Sequence, residues 1–246
     1  MNTTFCKNCN SPVSGNYCTA CGQPSNTGKI DLHYIMYELQ HSILHIDKGI
    51  LYTIKELVTE PGQMISSYLA GKRVNYFRPF AFVLILSTLY GFTAHFFEIY
   101  PESSLSIHSK DAEDLNRMLS EWVHSHYSLV MFLLIPFSAL SSFIVFRKSG
   151  YNYIEHLIIY SYITGIHVLI LLVTYPLFFK FYSVYLYTVV MLVNLAYNIW
   201  VLALLFKKDS WLAVILKAVL CIALSFVIGT VLVTIIAVAI VIIFNM

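Results

Sequence analysis

Four cysteines open the chain at two identical spacings, Cys6-Lys-Asn-Cys9 and Cys18-Thr-Ala-Cys21, with eight residues between the pairs. Two C-x-x-C knuckles supply four thiolates, and tetrahedral coordination by four cysteines is an arrangement zinc takes in closed structural sites. The halves repeat each other: Phe5-Cys-x-x-Cys-Asn10-x-Pro12 matches Tyr17-Cys-x-x-Cys-Gly22-x-Pro24. Asn10 and Gly22 share one offset, and both tolerate the left-handed backbone that turns a knuckle's amides toward sulfur. Phe5 and Tyr17 are expected to supply the apolar cover of the metal. So short a segment buries too little to fold alone, which makes the zinc structural. Four protein ligands leave no position for a substrate water. A reducing compartment favours this ligation over disulfides.

A second set of polar residues falls inside apolar stretches. His156, Tyr160, Thr164 and His167 recur at steps of four, four and three, which puts them on one helical stripe. Asn194 and Asn198 lie one turn apart on the next stretch, and Ser138, Ser141, Ser142 and His95 lie on earlier ones. Polar groups at membrane depth are costly and point to function. This seam either glues helices, at about 0.6 kcal/mol per contact, or contacts a head group or relays protons. Lys72, Arg73 and Arg78, among Tyr76, Phe77 and Phe80, form a basic-aromatic collar suited to anionic lipid head groups. His41 and His45, with Glu38 and Asp47 near, and His108, His124 and His126 are incomplete metal-ligand sets. Cys221 reads as a packing residue. The chain has no P-loop, G-x-S-x-G, H-E-x-x-H or Rossmann fingerprint, which weighs against an enzyme.

The elements that must position these groups are membrane helices. Five apolar stretches run over Phe80–Phe97, Tyr127–Phe146, Leu157–Phe179, Phe181–Phe206 and Leu212–Phe244, interrupted only by Lys217. Each is long enough to cross a hydrocarbon core of about 30 Å as a helix, the form that satisfies its own backbone. Charged residues make up 11% of the chain, against about 25% in a globular protein. The net charge of +2 and a ribbon whose sole basic residue is Lys7 exclude nucleic acid as a partner. The expected fold is therefore an all-α integral membrane protein of about five transmembrane helices. It divides into a zinc ribbon over 1–25, amphipathic juxtamembrane helices over 26–78 and a helix bundle over 79–246. The juxtamembrane pieces start at Asp31 as N-cap, cover Ile50–Thr59 and Gln63–Ala70, and stop at Gly71. They lie on the leaflet or pack beneath the bundle. Splitting the last stretch at Gly229 lacks a turn signal.

Orientation follows from Lys and Arg near the helix ends. Lys72, Arg73 and Arg78, then Arg147 and Lys148, then Lys207 and Lys208 fall on one side. That side is read as cytoplasmic, giving a multi-pass inner-membrane protein with its N-terminus inside and its C-terminus outside. The first 30 residues contain no apolar signal region.

Several elements recur in a recognisable order: Cys18-x-x-Cys21-Gly22-Gln23, Asp47-Lys-Gly49-Ile-Leu51, Thr53, Glu56-Leu57, Glu60-Pro61-Gly62, Tyr68-Leu69-x-Gly71-Lys72-Arg73, Tyr76, Pro79 and Asn152-Tyr153-x-Glu155-His156. In this order the chain resembles an uncharacterised bacterial family with an N-terminal zinc ribbon and a multi-helix membrane domain. The resemblance implies architecture and carries no activity. The expected function is recruitment or sensing of a cytoplasmic partner by the ribbon and juxtamembrane helices. The rival is a small transporter or flippase for a lipid-linked or amphiphilic substrate.

Overall fold

The computed structural model describes residues 4–28, 30, 31, 34, 36, 49–97, 122, 126–181, 183–207 and 210–244, with 179 and 232–244 given by backbone alone. Most of the expected helix over 31–46, the His41/His45 pair and most of the outer loop, including His108 and His124, lie outside them.

A two-stranded antiparallel ribbon, β1 (Thr4–Phe5) and β2 (Pro12–Val13), opens the fold, with Thr4 opposite Val13 and Phe5 opposite Pro12. Seven helices follow among the described residues: α1 (Gly49–Thr59), α2 (Pro61–Leu69), α3 (Pro79–Phe97), α4 (Tyr127–Val145), α5 (Tyr153–Lys180), α6 (Val184–Leu205) and α7 (Trp211–Phe244). Five of them, α3 to α7, are long and apolar enough to cross a membrane. The described residues are all-α apart from the ribbon. Helix α7 runs unbroken through Gly229, so no sixth crossing arises there.

The most buried span is α5. It packs against α3, α4 and α6, and touches α1 and α2 as well. Its start extends four residues before the apolar run because Asn152 and Glu155 form a capping box. The Asn152 side chain accepts from the Glu155 amide and Glu155 accepts from the Asn152 amide, both at 2.8 Å. This satisfies two donors that a helix start leaves open. Hydrophobicity alone cannot mark such a boundary, since Tyr153 to His156 include polar residues.

Helix directions alternate, and the contacts show which connections share an end. Phe146, after α4, and Phe206, after α6, stack at 4.1 Å. Asn152 Nδ2 donates to the Ile30 carbonyl at 3.1 Å. The ribbon, the 147–150 turn and Phe206 at the end of α6 therefore gather at one end, the ribbon end.

The two described juxtamembrane helices pack beneath the bundle. Leu57, Met64 and Ile65 have no exposed surface, and Tyr68 is buried with them. Pro61 starts α2 at a position where a missing N–H costs nothing. Gly62 lets α2 approach α6 so closely that a Cβ would sit 2.6 Å from Leu204 Cβ. Three hydrogen bonds fix the layer: the Phe77 amide to Thr53 Oγ1 (2.7 Å), the Tyr162 hydroxyl to the Phe77 carbonyl (2.8 Å) and the Tyr197 hydroxyl to the Leu57 carbonyl (3.0 Å).

Candidate metal centre and its latch on the bundle

The two knuckles fold alike. The Cys6 amide donates to Ser11 O and the Asn10 amide to Cys6 O, both at 2.9 Å. In the second knuckle, Cys18 N donates to Gln23 O and Gly22 N to Cys18 O, both at 2.8 Å. Asn10 (φ 61°) and Gly22 (φ 74°) take the left-handed backbone their shared offset predicts. The pairing of Phe5 with Pro12 is repeated by a bridge of Tyr17 with Pro24.

This symmetry brings the four sulfurs together. All lie within 4.8 Å of one another, with Cys6–Cys21 at 3.6 Å and Cys9–Cys18 at 3.5 Å. A metal ion bound at about 2.3 Å by four thiolates sets its sulfurs about 3.8 Å apart, so the cluster fits a tetrahedral ion and is too open for a disulfide. The electrostatics favour partial ionisation. The Ser11 hydroxyl and amide beside Cys9 lower its thiol to about 6. Hydrogen bonds from the Cys9 and Asn8 amides lower Cys6 against its desolvation. Cys21 moves up to about 11: the Gln23 amide favours its thiolate, but desolvation and the Cys9 and Cys6 sulfurs outweigh it. A cation among the sulfurs removes that opposition, and binding releases the remaining protons.

The apolar cover differs from the sequence expectation. Phe5 and Tyr17 are 62% and 63% exposed; the ribbon's buried apolar side chains are Cys6, Val13 and Cys18. Both aromatics stand one residue before a knuckle cysteine, Phe5 paired with Pro12 and Tyr17 with Pro24.

The ribbon is tied to the bundle by the Gly71-Lys72-Arg73 element. Helix α2 ends in a left-handed turn at Gly71 (φ 108°), with Lys72 N donating to Ser67 O at 3.0 Å. A Cβ on Gly71 would lie 2.8 Å from Lys7 Cδ, so the turn also lets the ribbon sit against it. The Arg73 amide then donates to Gln23 Oε1 at 3.0 Å, and Gln23 is 1% exposed. The Arg73 guanidinium donates to the Gly28 carbonyl (3.0 Å) and the Tyr68 carbonyl (3.4 Å), lying 4.5 Å over the Tyr34 ring. Lys7 Nζ donates to the Thr27 carbonyl. Ile30, past the polar stretch Ser25–Lys29, enters the bundle core with no exposed surface. The Cys-Gly-Gln and Gly-Lys-Arg elements are thus two halves of one contact. Of the other collar residues, Lys72 is exposed and Arg78 is half-buried with Nη1 lacking a hydrogen-bond partner.

Within the spans, His156 and Tyr160 are buried while Thr164 and His167 are half-buried. His156 Nδ1 pairs with Ser142 Oγ of α4 at 2.9 Å, and Tyr160 with Cys221 Sγ of α7 at 3.0 Å. Asn198 and Ser142 also reach Tyr160. His167 faces the backbone of Asn194 and the Tyr197 ring. The stripe therefore splits into an upper pair with α6 and a lower group joining α4, α5, α6 and α7. His95 is exposed and stands apart. Cys221, though packed as expected, is the hydroxyl partner that spacing could not reveal. Four buried polar atoms of the seam lack protein partners: His156 Nε2, His167 Nε2, Asn194 Oδ1 and Asn198 Oδ1.

Residues 47–91 match the model of a family described as a protein of unknown function (DUF3667). No curated protein and no solved structure matches the chain. The matched segment covers α1, α2, the Arg73 latch and most of α3, which makes the layer beneath the bundle the part of this chain that is similar to that family.

Proposed function

We propose that the chain is a non-enzymatic inner-membrane protein whose zinc-organised ribbon, held at the cytoplasmic base of the bundle, recruits or senses a cytoplasmic protein. The observation that carries this reading is the exposure of Phe5 and Tyr17, at equivalent places in the two repeated halves. Exposed aromatics on a rigid support are effective anchors for a partner. The ribbon meets the bundle through other residues, Gln23 at Arg73 and Lys7 beside Gly71. Zinc is the ion that a closed four-cysteine set suits, and the basic residues gathered at the ribbon end support its cytoplasmic placement. Lys72 and Arg78 are left as candidate contacts for anionic lipid.

The test places a photo-crosslinking residue at Phe5 or Tyr17 of the full chain in cells. A discrete adduct with a protein, lost when Cys18 is replaced by Ser, is the expected result. No adduct at either position, or one that persists without metal, overturns the reading.

A second reading is transport of an amphiphilic substrate, favoured by the four unpartnered polar atoms of the seam. Under the first reading His167→Leu and Asn198→Leu leave cellular function intact at equal abundance. Loss of function in both, with unchanged abundance and adducts, transfers the assignment to transport.

A further inference from the structure

The four sulfurs of the metal centre are not covered alike. Cys6 and Cys18 are buried and Cys21 is half-buried, while Cys9 is exposed. A solute oxidant therefore meets one ligand of the four first. The thiolate is both the metal ligand and the nucleophile, and its oxidation follows thiolate character and exposure. A second thiolate stands ready behind it: Cys18 Sγ, covered from solvent, lies 3.5 Å from Cys9 Sγ. Closing that gap to a disulfide of about 2.05 Å takes a shift of about 1.5 Å.

Loss of the ion has a consequence beyond the ribbon. Val13 is the only buried apolar side chain of the ribbon's cluster besides the cysteines, so the ion is its main support. The ribbon's contacts to the bundle sit on the segments that carry the ligands. Gln23 follows Cys21 by two residues and accepts from the Arg73 amide at 3.0 Å. Lys7 follows Cys6 directly and lies beside Gly71. A change at the sulfurs thus reaches the layer beneath the bundle through two short stretches of chain.

We propose that the ribbon is a reversible peroxide-sensitive switch, in which oxidation of Cys9 and closure of a Cys9–Cys18 disulfide release the metal ion and open the Gln23–Arg73 contact. The Cys9 thiolate attacks one oxygen of hydrogen peroxide, the O–O bond breaks, and a sulfenic acid and hydroxide form. The Cys18 thiolate then attacks the Cys9 sulfur, forming the S–S bond and expelling a second hydroxide. Two thiolates have given up two electrons, and the peroxide has taken them. Only Cys6 and Cys21 remain as ligands, too few for a closed site. A dithiol reduces the disulfide and returns the four-thiolate set, as a reducing compartment does. The switch rests on the metal-centre assignment and is independent of what the ribbon recruits.

The experiment uses the zinc-loaded full chain in lipid nanodiscs, treated with hydrogen peroxide and then alkylated after unfolding. Bound zinc falls from about one ion per chain to under about a tenth. Peptide mass spectrometry finds Cys9 joined to Cys18, and Cys221, which has no exposed surface, is recovered as an alkylated thiol. Exchange at the Arg73 amide rises to the rate of the chelated chain, and dithiothreitol with zinc reverses all three changes. Zinc retained at peroxide concentrations that oxidise the chelated chain overturns the switch. So does sulfinic acid at Cys9 without a disulfide, which dithiothreitol does not reverse, and so does a Cys9–Cys18 disulfide that leaves Arg73 exchange unchanged. A chain that takes up no zinc before peroxide is added overturns the metal centre itself, and the switch with it.

Discussion

Replacing Cys18 with Ser lowers bound metal from about one ion per chain to under about a tenth and opens the ribbon to protease, while the five apolar helices stay protected. The size of the effect follows from how little else holds the ribbon. Its buried cluster consists of Cys6, Val13 and Cys18, with Cys21 partly buried beside them. Metal in such small domains contributes apparent energies of about 10–16 kcal/mol, which is also their folding energy. A serine hydroxyl at a 2% exposed position replaces a thiolate with a poor ligand and leaves three crowded sulfurs. Metal analysis of the purified chain with limited proteolysis measures both effects. Full metal occupancy in Cys18→Ser sinks the assignment of these four ligands.

Gly165→Ala destabilises the bundle by about 1–3 kcal/mol, although alanine is ordinarily the better helix former by about 1 kcal/mol. The sign reverses because a Cβ at this position of α5 overlaps the ring of Phe82 on α3. Phe82 has no exposed surface and packs on Tyr162 at 6.2 Å, so its ring cannot rotate away without disturbing the Tyr162 hydroxyl bond to Phe77. A thermal unfolding series in detergent reads the loss, and pairing Gly165→Ala with Phe82→Leu restores part of it. Equal or raised stability of the single variant contradicts the packing described between α3 and α5.

The spans and the knuckles were legible because their signals are local. Apolar length marks a membrane helix, and four sulfurs at a repeated spacing mark a ligand set whatever follows. The left-handed Asn10 and Gly22 follow from the repeat itself. What the sequence could not reveal depends on distant pairs. Gln23 and Arg73 lie fifty residues apart and Ile30 and Asn152 more than a hundred, so no spacing connects them. Arg73 read as a lipid-facing charge has the composition of a collar residue, yet its guanidinium is held by carbonyls of Gly28 and Tyr68. Phe5 and Tyr17 read as metal cover because apolar residues are sparse there, yet both stand exposed. Gly165 carried no signal, since a glycine in an apolar run looks the same whether or not an aromatic ring lies across from it.

The central claim is that the metal centre and the membrane bundle are joined through Gln23 and Arg73. Hydrogen exchange across residues 71–76 of the full chain in lipid nanodiscs tests it most directly, because the Arg73 amide is protected by the Gln23 side chain at 3.0 Å. Chelating the metal should accelerate exchange at Arg73 to the rate seen in metal-loaded Gln23→Ala, with α5 unchanged. An Arg73 amide that exchanges at one rate with and without metal would contradict the account.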